Sequence, residues 1–230
     1  MAVRMADTRD SRSLSTYFRG KRDVALRDFI AARRAGVSGT FRMIDIGGTA
    51  DYWRRFGFDW LESNDIDITC VNHLASEFGT SEREAVRLRC IVGDARALTD
   101  HADHSFDFVH SNSVIEHVGR WADMTAFARE VRRLAPAYYV QTPYFWFPVD
   151  PHFYRLPFTH WVPDSLRLKL FRRIQVGWGP AQPDVDLAME IVESAVLLDR
   201  TQFATLFPDA AMSTERLALL AKSLIAMRGR

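Results

Sequence analysis

The residues of this chain that could do chemistry gather where apolar runs give way to turns. "FRMIDIGGTADYW" (41–53) is a strand-like run that breaks at Gly47-Gly48, with Asp45 two residues ahead of the first glycine. A strand ending in a glycine turn is where an α/β protein grips a nucleotide-like ligand. The spacing is not G-x-G-x-x-G, so the turn lacks the glycines that let backbone amides approach a pyrophosphate. A ligand without phosphate needs less: one tight turn under an amino acid end, with an acid near its ammonium. Asp45, Gly47 and Gly48 meet that specification. Three further apolar runs end in comparable residues: Asn72 in "IDITCVN" (66–72), Asp94 after "RLRCIVG" (87–93), and Ser111-Asn112 in "FDFVHSN" (106–112). Just beyond the last lies Glu116-His117, which reads either as a group lining a site or as the start of a helix. His152 in "DPHF" and His160 in "THW" sit among aromatic residues. Each reads either as a base contacting substrate or as a hydrogen-bonded histidine within packing. No His/Cys/Asp spacing resembles a metal site.

The elements that must position these residues follow from periodicity. Leu14 to Ala35 carries apolar residues at helical spacing, with Gly36 as a stop, and predicts one or two helices. The runs at 41–47, 66–72, 87–93 and 106–112 are short and β-branched, as strands are, and "AYYVQTP" (137–143) is a fifth. Between the fourth and fifth, Trp121, Met124, Phe127, Ala128, Val131 and Leu134 keep helical spacing. This alternation predicts a doubly wound, mostly parallel sheet with ligand at the carboxyl ends of its strands. Residues 141–163, "QTPYFWFPVDPHFYRLPFTHWVP", then break the pattern with five prolines and eight aromatic residues. Proline at that density forbids a regular helix or central strand. It predicts an ordered aromatic excursion, either filling core as a flap over the sheet edge or closing over substrate as a lid. Residues 163–173 and 184–207 read as helices, the second ending at Pro208, and 215–228 as one or two late strands.

Bulk properties bound the function. The chain has 230 residues, 47% hydrophobic and 26% charged, with a net charge of +1. That is one sizeable core, with no global field to recruit nucleic acid. Cys70 and Cys90 each lie in an apolar run and read as reduced core thiols. No secretory signal and no run of 18 apolar residues is present, so the expected location is cytoplasmic.

S-adenosylmethionine presents an amino acid end, a sulfonium, a ribose and an adenine, and the strand ends suit it. Asn72 could hold the ribose hydroxyls, Asp94 could accept from the adenine amino group, and 103–119 would close the fourth strand beside the methyl. In their order and spacing, "IDIGG", "GDARAL" and "SFDFVHSNSVIEHV" resemble the class I S-adenosylmethionine-dependent methyltransferases. The resemblance covers roughly residues 38–142, with "LLAKSLIAMR" similar to the family's last strand. It implies a Rossmann-like, doubly wound α/β fold of seven strands, the last antiparallel, and methyl transfer by direct in-line displacement. It implies that Asp45, Gly47 and Gly48 hold the methionine end, Asp94 and Ala95 the adenine, and Ser111 and Asn112 the floor near the sulfonium. A third glycine is often present in the family, where Thr49-Ala50 stand here. The family's second strand often ends in an acid, where Asn72 stands.

On these grounds residues 1–37 are expected to form an N-terminal helical extension and 38–230 the methyltransferase domain, with 143–190 as a substrate-lid insertion. The expected reaction is methylation of a small-molecule or glycan-like acceptor at oxygen, with His117, His152 or His160 removing the hydroxyl proton. The alternatives are a non-catalytic binding subunit of the same fold and a nucleotide-dependent oxidoreductase.

Overall fold

The computed structural model describes residues 14–78, 87–177 and 179–229. Its seven-stranded sheet is ordered β3-β2-β1-β4-β5-β7-β6. The strands are β1 (Phe41–Ile46), β2 (Ile66–Asn72), β3 (Leu88–Val92), β4 (Phe108–Asn112), β5 (Ala137–Pro143), β6 (Ala211–Leu217) and β7 (Leu220–Gly229). β1 to β5 are mutually parallel where they pair, and β7 runs antiparallel between β5 and β6. Five strands thus stand within two residues of their expected positions, and the tail forms a hairpin. The order reverses between β1 and β4, which puts a crevice at their carboxyl ends.

Alternation along each strand divides the core into two layers. Ile44, Ile46, Val109, Tyr138 and Val140 face one side, against Phe127 and Val131 of α4 (Trp121–Leu134) and Phe203 of α7 (Arg200–Leu206). Phe41, Met43, Phe108 and Tyr139 face the other. There they meet Leu26 and Ile30 of α1 (Leu14–Arg34), Trp53 and Phe56 of α2 (Ala50–Phe56), and Leu61 of α3 (Phe58–Ser63). The same period assigns Asp45 and His110, paired in register, to the α2 side. The N-terminal helix therefore covers one sheet face.

The excursion after β5 is irregular from 144 to 163, apart from a 3-10 turn at Thr159–Trp161. It has a small core of its own, in which Phe153 packs with Phe171 of α5 (Asp164–Phe171), Val176, and Val192 of α6 (Val185–Glu193). The expected helix over 184–207 is two helices, α6 and α7. Between them Tyr144 bridges to Leu198, and Val196 N–H donates to Glu116 O. Those bonds to other segments take the backbone groups that a continuous helix would use internally. Asp199 starts α7 anew by accepting from Gln202 N–H, with the Gln202 side chain accepting in return. Cys70 and Cys90 are register neighbours without a disulfide, and burial pushes the Cys70 thiol pKa up. Among the described residues no helix is long and apolar enough to cross a membrane.

Candidate active site

The glycine turn after β1 is built from inside. Asp45 is buried, and both its oxygens are taken: Trp53 Nε1 donates to Oδ2 at 2.7 Å and His110 Nδ1 to Oδ1 at 2.7 Å. The His110 ring stacks between Tyr52 and Tyr139. The expectation that Asp45 offers its carboxylate to a ligand's ammonium meets a different arrangement, because strand alternation turns that side chain towards α2. A Cβ added to Gly48 would stand 2.0 Å from Asp45 Oδ2. Gly47 sits at φ +78, and a Cβ there would lie 2.2 Å from Val114 Cγ2. These glycines are required by the protein's own packing, quite apart from a ligand. Thr49, where a third glycine was looked for, instead caps α2 by accepting from Tyr52 N–H.

The other strand ends are partly committed. Asn72 Nδ2 donates to Gly48 O at 2.6 Å, so the amide clamps the turn with its nitrogen and keeps its oxygen as an acceptor. Asp94 is held by the Arg96 side chain and backbone, and Arg96 also bonds Asp123. The Arg96 hydrogen bonds keep the Asp94 carboxyl at about 2, well below the ordinary range. Ala95 follows in the same turn, half-buried. Ser111 is buried and donates to Ile46 O, tying β4 to β1. Asn112 Oδ1 is buried with no partner among the described residues.

Past β4, Ser113 takes φ +58 and starts the 3-10 turn Ile115–His117. This turn carries Glu116, which is fully buried and accepts from Thr142 Oγ1 of β5 at 3.0 Å. Its other oxygen has no partner, and burial raises its pKa to about 7. His117 Nδ1 donates to Ser194 O at 2.6 Å, and burial lowers its pKa. His152 Nδ1 lies 2.7 Å from Asp150 Oδ1. Burial opposes charge on that ring, but the Asp150 hydrogen bond and charge outweigh it and raise the pKa. The two Nε2 atoms meet at 3.0 Å. The structure therefore brings together His117 and His152, 35 residues apart in sequence.

His160 does not join them. Its Nε2 donates to Phe145 O, while Nδ1 is buried and unpartnered. It lines a cleft of about 130 Å³ together with Arg120, Asp164, Arg167, Glu193 and apolar residues that include Val192 and Leu197. Arg167 lies over Phe153 and Phe171 and pairs with Asp164 through Nη1. Its Nε and Nη2 are buried without a partner among the described residues. Sequence reasoning missed this arginine, since nothing in "LRLKLFRR" separates it from a solvated helix face. It also missed Asp150, for which "DPH" held a signal: an acid two residues before a histidine can bond both that residue's backbone and its ring.

The methyltransferase domain family matches residues 47–136, the stretch from the glycine turn to the end of α4. Solved structures share the fold at low identity. The DszA carbon methyltransferase aligns with a TM-score of 0.61 at 9% identity, over 98% of this chain and 57% of that one. The CurJ carbon methyltransferase aligns with 0.51 at 12%, over 84% and 50%. The Haemonchus contortus phosphoethanolamine N-methyltransferase 2, solved with S-adenosyl-L-methionine, aligns with 0.51 at 16%, over 84% and 38%. The chain thus spans between about a third and three-fifths of these larger proteins. No curated protein sequence matches it.

Proposed function

We propose that this chain, whose residues 47–136 match the methyltransferase domain family, is a class I S-adenosylmethionine-dependent methyltransferase that methylates a hydroxyl of a small, glycan-like acceptor bearing an anionic group. When bound, S-adenosylmethionine supplies an electrophilic methyl on a sulfonium. The chain's own donors and acceptors fit it. Asn72 Oδ1 and Asp94 lie at the ends of β2 and β3, where ribose and adenine are expected. The unpartnered Asn112 Oδ1 is an acceptor waiting at the end of β4. Asp45, Gly47 and Gly48 shape the turn beneath the amino acid end, and Ser111 fixes the spacing of β1 and β4.

The observation that carries the acceptor reading is the pairing of His117 and His152 at the carboxyl ends of β4 and β5, with Asp150 behind His152. A hydroxyl is a poor nucleophile until its proton has an acceptor. The pair supplies that acceptor at Nε2. His160 then orients rather than deprotonates: in the adjoining cleft Arg120 pairs with Glu193 and Arg167 with Asp164, and the unpartnered Nε and Nη2 of Arg167 are the donors that would take a carboxylate or phosphate of the acceptor. The exposed rings of Trp146, Phe158 and Trp161 touch one another on the outer surface of the excursion, so residues 143–190 can cover the acceptor and exclude water.

The test has two arms. Calorimetry should show one saturable site for S-adenosylmethionine; no binding at millimolar cofactor would favour a non-catalytic subunit. Label from methyl-labelled cofactor should pass to sugar acids or sugar phosphates and stay bound through oxygen. Transfer only to amines or carbon centres would overturn the hydroxyl reading.

A further inference from the structure

His117 and His152 have an unmet requirement. Ser194 O can only accept, so His117 Nδ1 carries the proton in that bond, and the Asp150 carboxylate fixes His152 Nδ1 as a donor in the same way. In the neutral rings both Nε2 atoms then present lone pairs to each other across 3.0 Å. Lone pairs at that distance repel, and something positive must sit between or beside them. One shared proton would satisfy the nitrogens but leave Glu116 Oε1 buried and unpartnered.

We propose that Glu116, His117 and His152 form a binding site for a divalent first-row metal cation. The candidate ligand atoms all lie within 4.8 Å of one another. Ligands about 2.0–2.2 Å from a cation stand about 3 Å or more apart, a spacing the two nitrogens already have. Two imidazoles and one carboxylate suit zinc, cobalt, iron or manganese better than calcium, which takes oxygen ligands. Each ligand also has the outer partner that such sites use: Asp150 behind His152, Ser194 O behind His117 and Thr142 Oγ1 on Glu116. Three protein ligands leave coordination positions open. Sequence spacing could not show this set, since His152 arrives from the excursion while the other two follow β4.

The site stands on this geometry alone and does not depend on the methyl-transfer reading. If both hold, the histidines would serve as ligands rather than bases, and the chemistry a bound cation would supply is that of a Lewis acid towards the acceptor hydroxyl.

The experiment uses the full chain, free of any affinity tag and stripped with chelator. It is titrated with cobalt(II) by visible absorption and with zinc(II) by calorimetry. One equivalent should bind with micromolar or tighter affinity. Glu116→Gln, which keeps its volume and can still accept from Thr142, and His152→Ala should each weaken binding about 100-fold or more. His104→Asn, in an exposed loop, should not change it. X-ray absorption of the zinc-loaded parent needs no variant, and should show two imidazole ligands. No binding below millimolar cation, binding equal in both variants, or a spectrum without imidazole would overturn the site. Calorimetry with S-adenosylmethionine on the stripped protein keeps the two readings apart, because cofactor binding should survive removal of the cation.

Discussion

Replacing Asp45 tests whether the acid before the glycines serves a ligand or the fold. In Asp45→Ala, Trp53 Nε1 and His110 Nδ1 both lose their acceptor, in a layer where Trp53 is fully buried and His110 nearly so. A buried donor left unsatisfied costs about 1–3 kcal/mol, so two cost about 2–6 kcal/mol before any cavity is counted. Against a total stability of about 5–15 kcal/mol that is a large share. Asp45→Asn keeps the volume and one accepting oxygen, so one donor stays satisfied and the loss should be about half. Urea unfolding followed by tryptophan fluorescence and by circular dichroism reads this directly. The midpoint should fall in the order parent, Asn, Ala, with the slope unchanged. The expected loss of S-adenosylmethionine binding in Asp45→Ala would then follow from a disordered turn. If Asp45→Ala unfolds at the parent's urea concentration yet fails to bind cofactor, the carboxylate contacts ligand and the scaffold argument is wrong.

Gly47→Ala should destabilise through both its positive φ and the contact with Val114 Cγ2, and Val114→Ala should recover only the steric part. A double-mutant cycle in urea should give a coupling of about 1 kcal/mol or more, and additivity within about 0.5 kcal/mol would refute the contact. Asn72→Asp should weaken cofactor binding, although a carboxylate is in general the stronger acceptor for ribose hydroxyls. The substitution removes the donor to Gly48 O and sets a negative oxygen against that carbonyl; tighter binding by calorimetry would show that the clamp is dispensable.

Much of the fold was legible because strand alternation and helical spacing are local. "FRMIDIG", "IDITCVN" and "AYYVQTP" carry the period that buries them, and the tail hairpin follows from its own apolar run. The strand ends were legible as well, since a parallel sheet gathers them along one edge whatever the loops do. What local pattern could not decide was which partner each polar group takes. Asp45 was visible as an acid before a turn, but only the pairing of β1 with β4 puts His110 beside it, and only α2 brings Trp53. Asn72 was read as an acceptor; the tertiary turn made it a donor as well. The helix read through 184–207 breaks where Leu198 meets Tyr144 and Val196 meets Glu116, contacts between segments more than fifty residues apart. The same segment presents Ser194 O to His117, and the proline-rich excursion carries Asp150 and His152 to it. Residue types and periods are properties of the chain, and they set the sheet and its ligand-bearing edge. The meeting of Glu116, His117 and His152 belongs to the packed structure, because their spacing follows from how three segments close over one another.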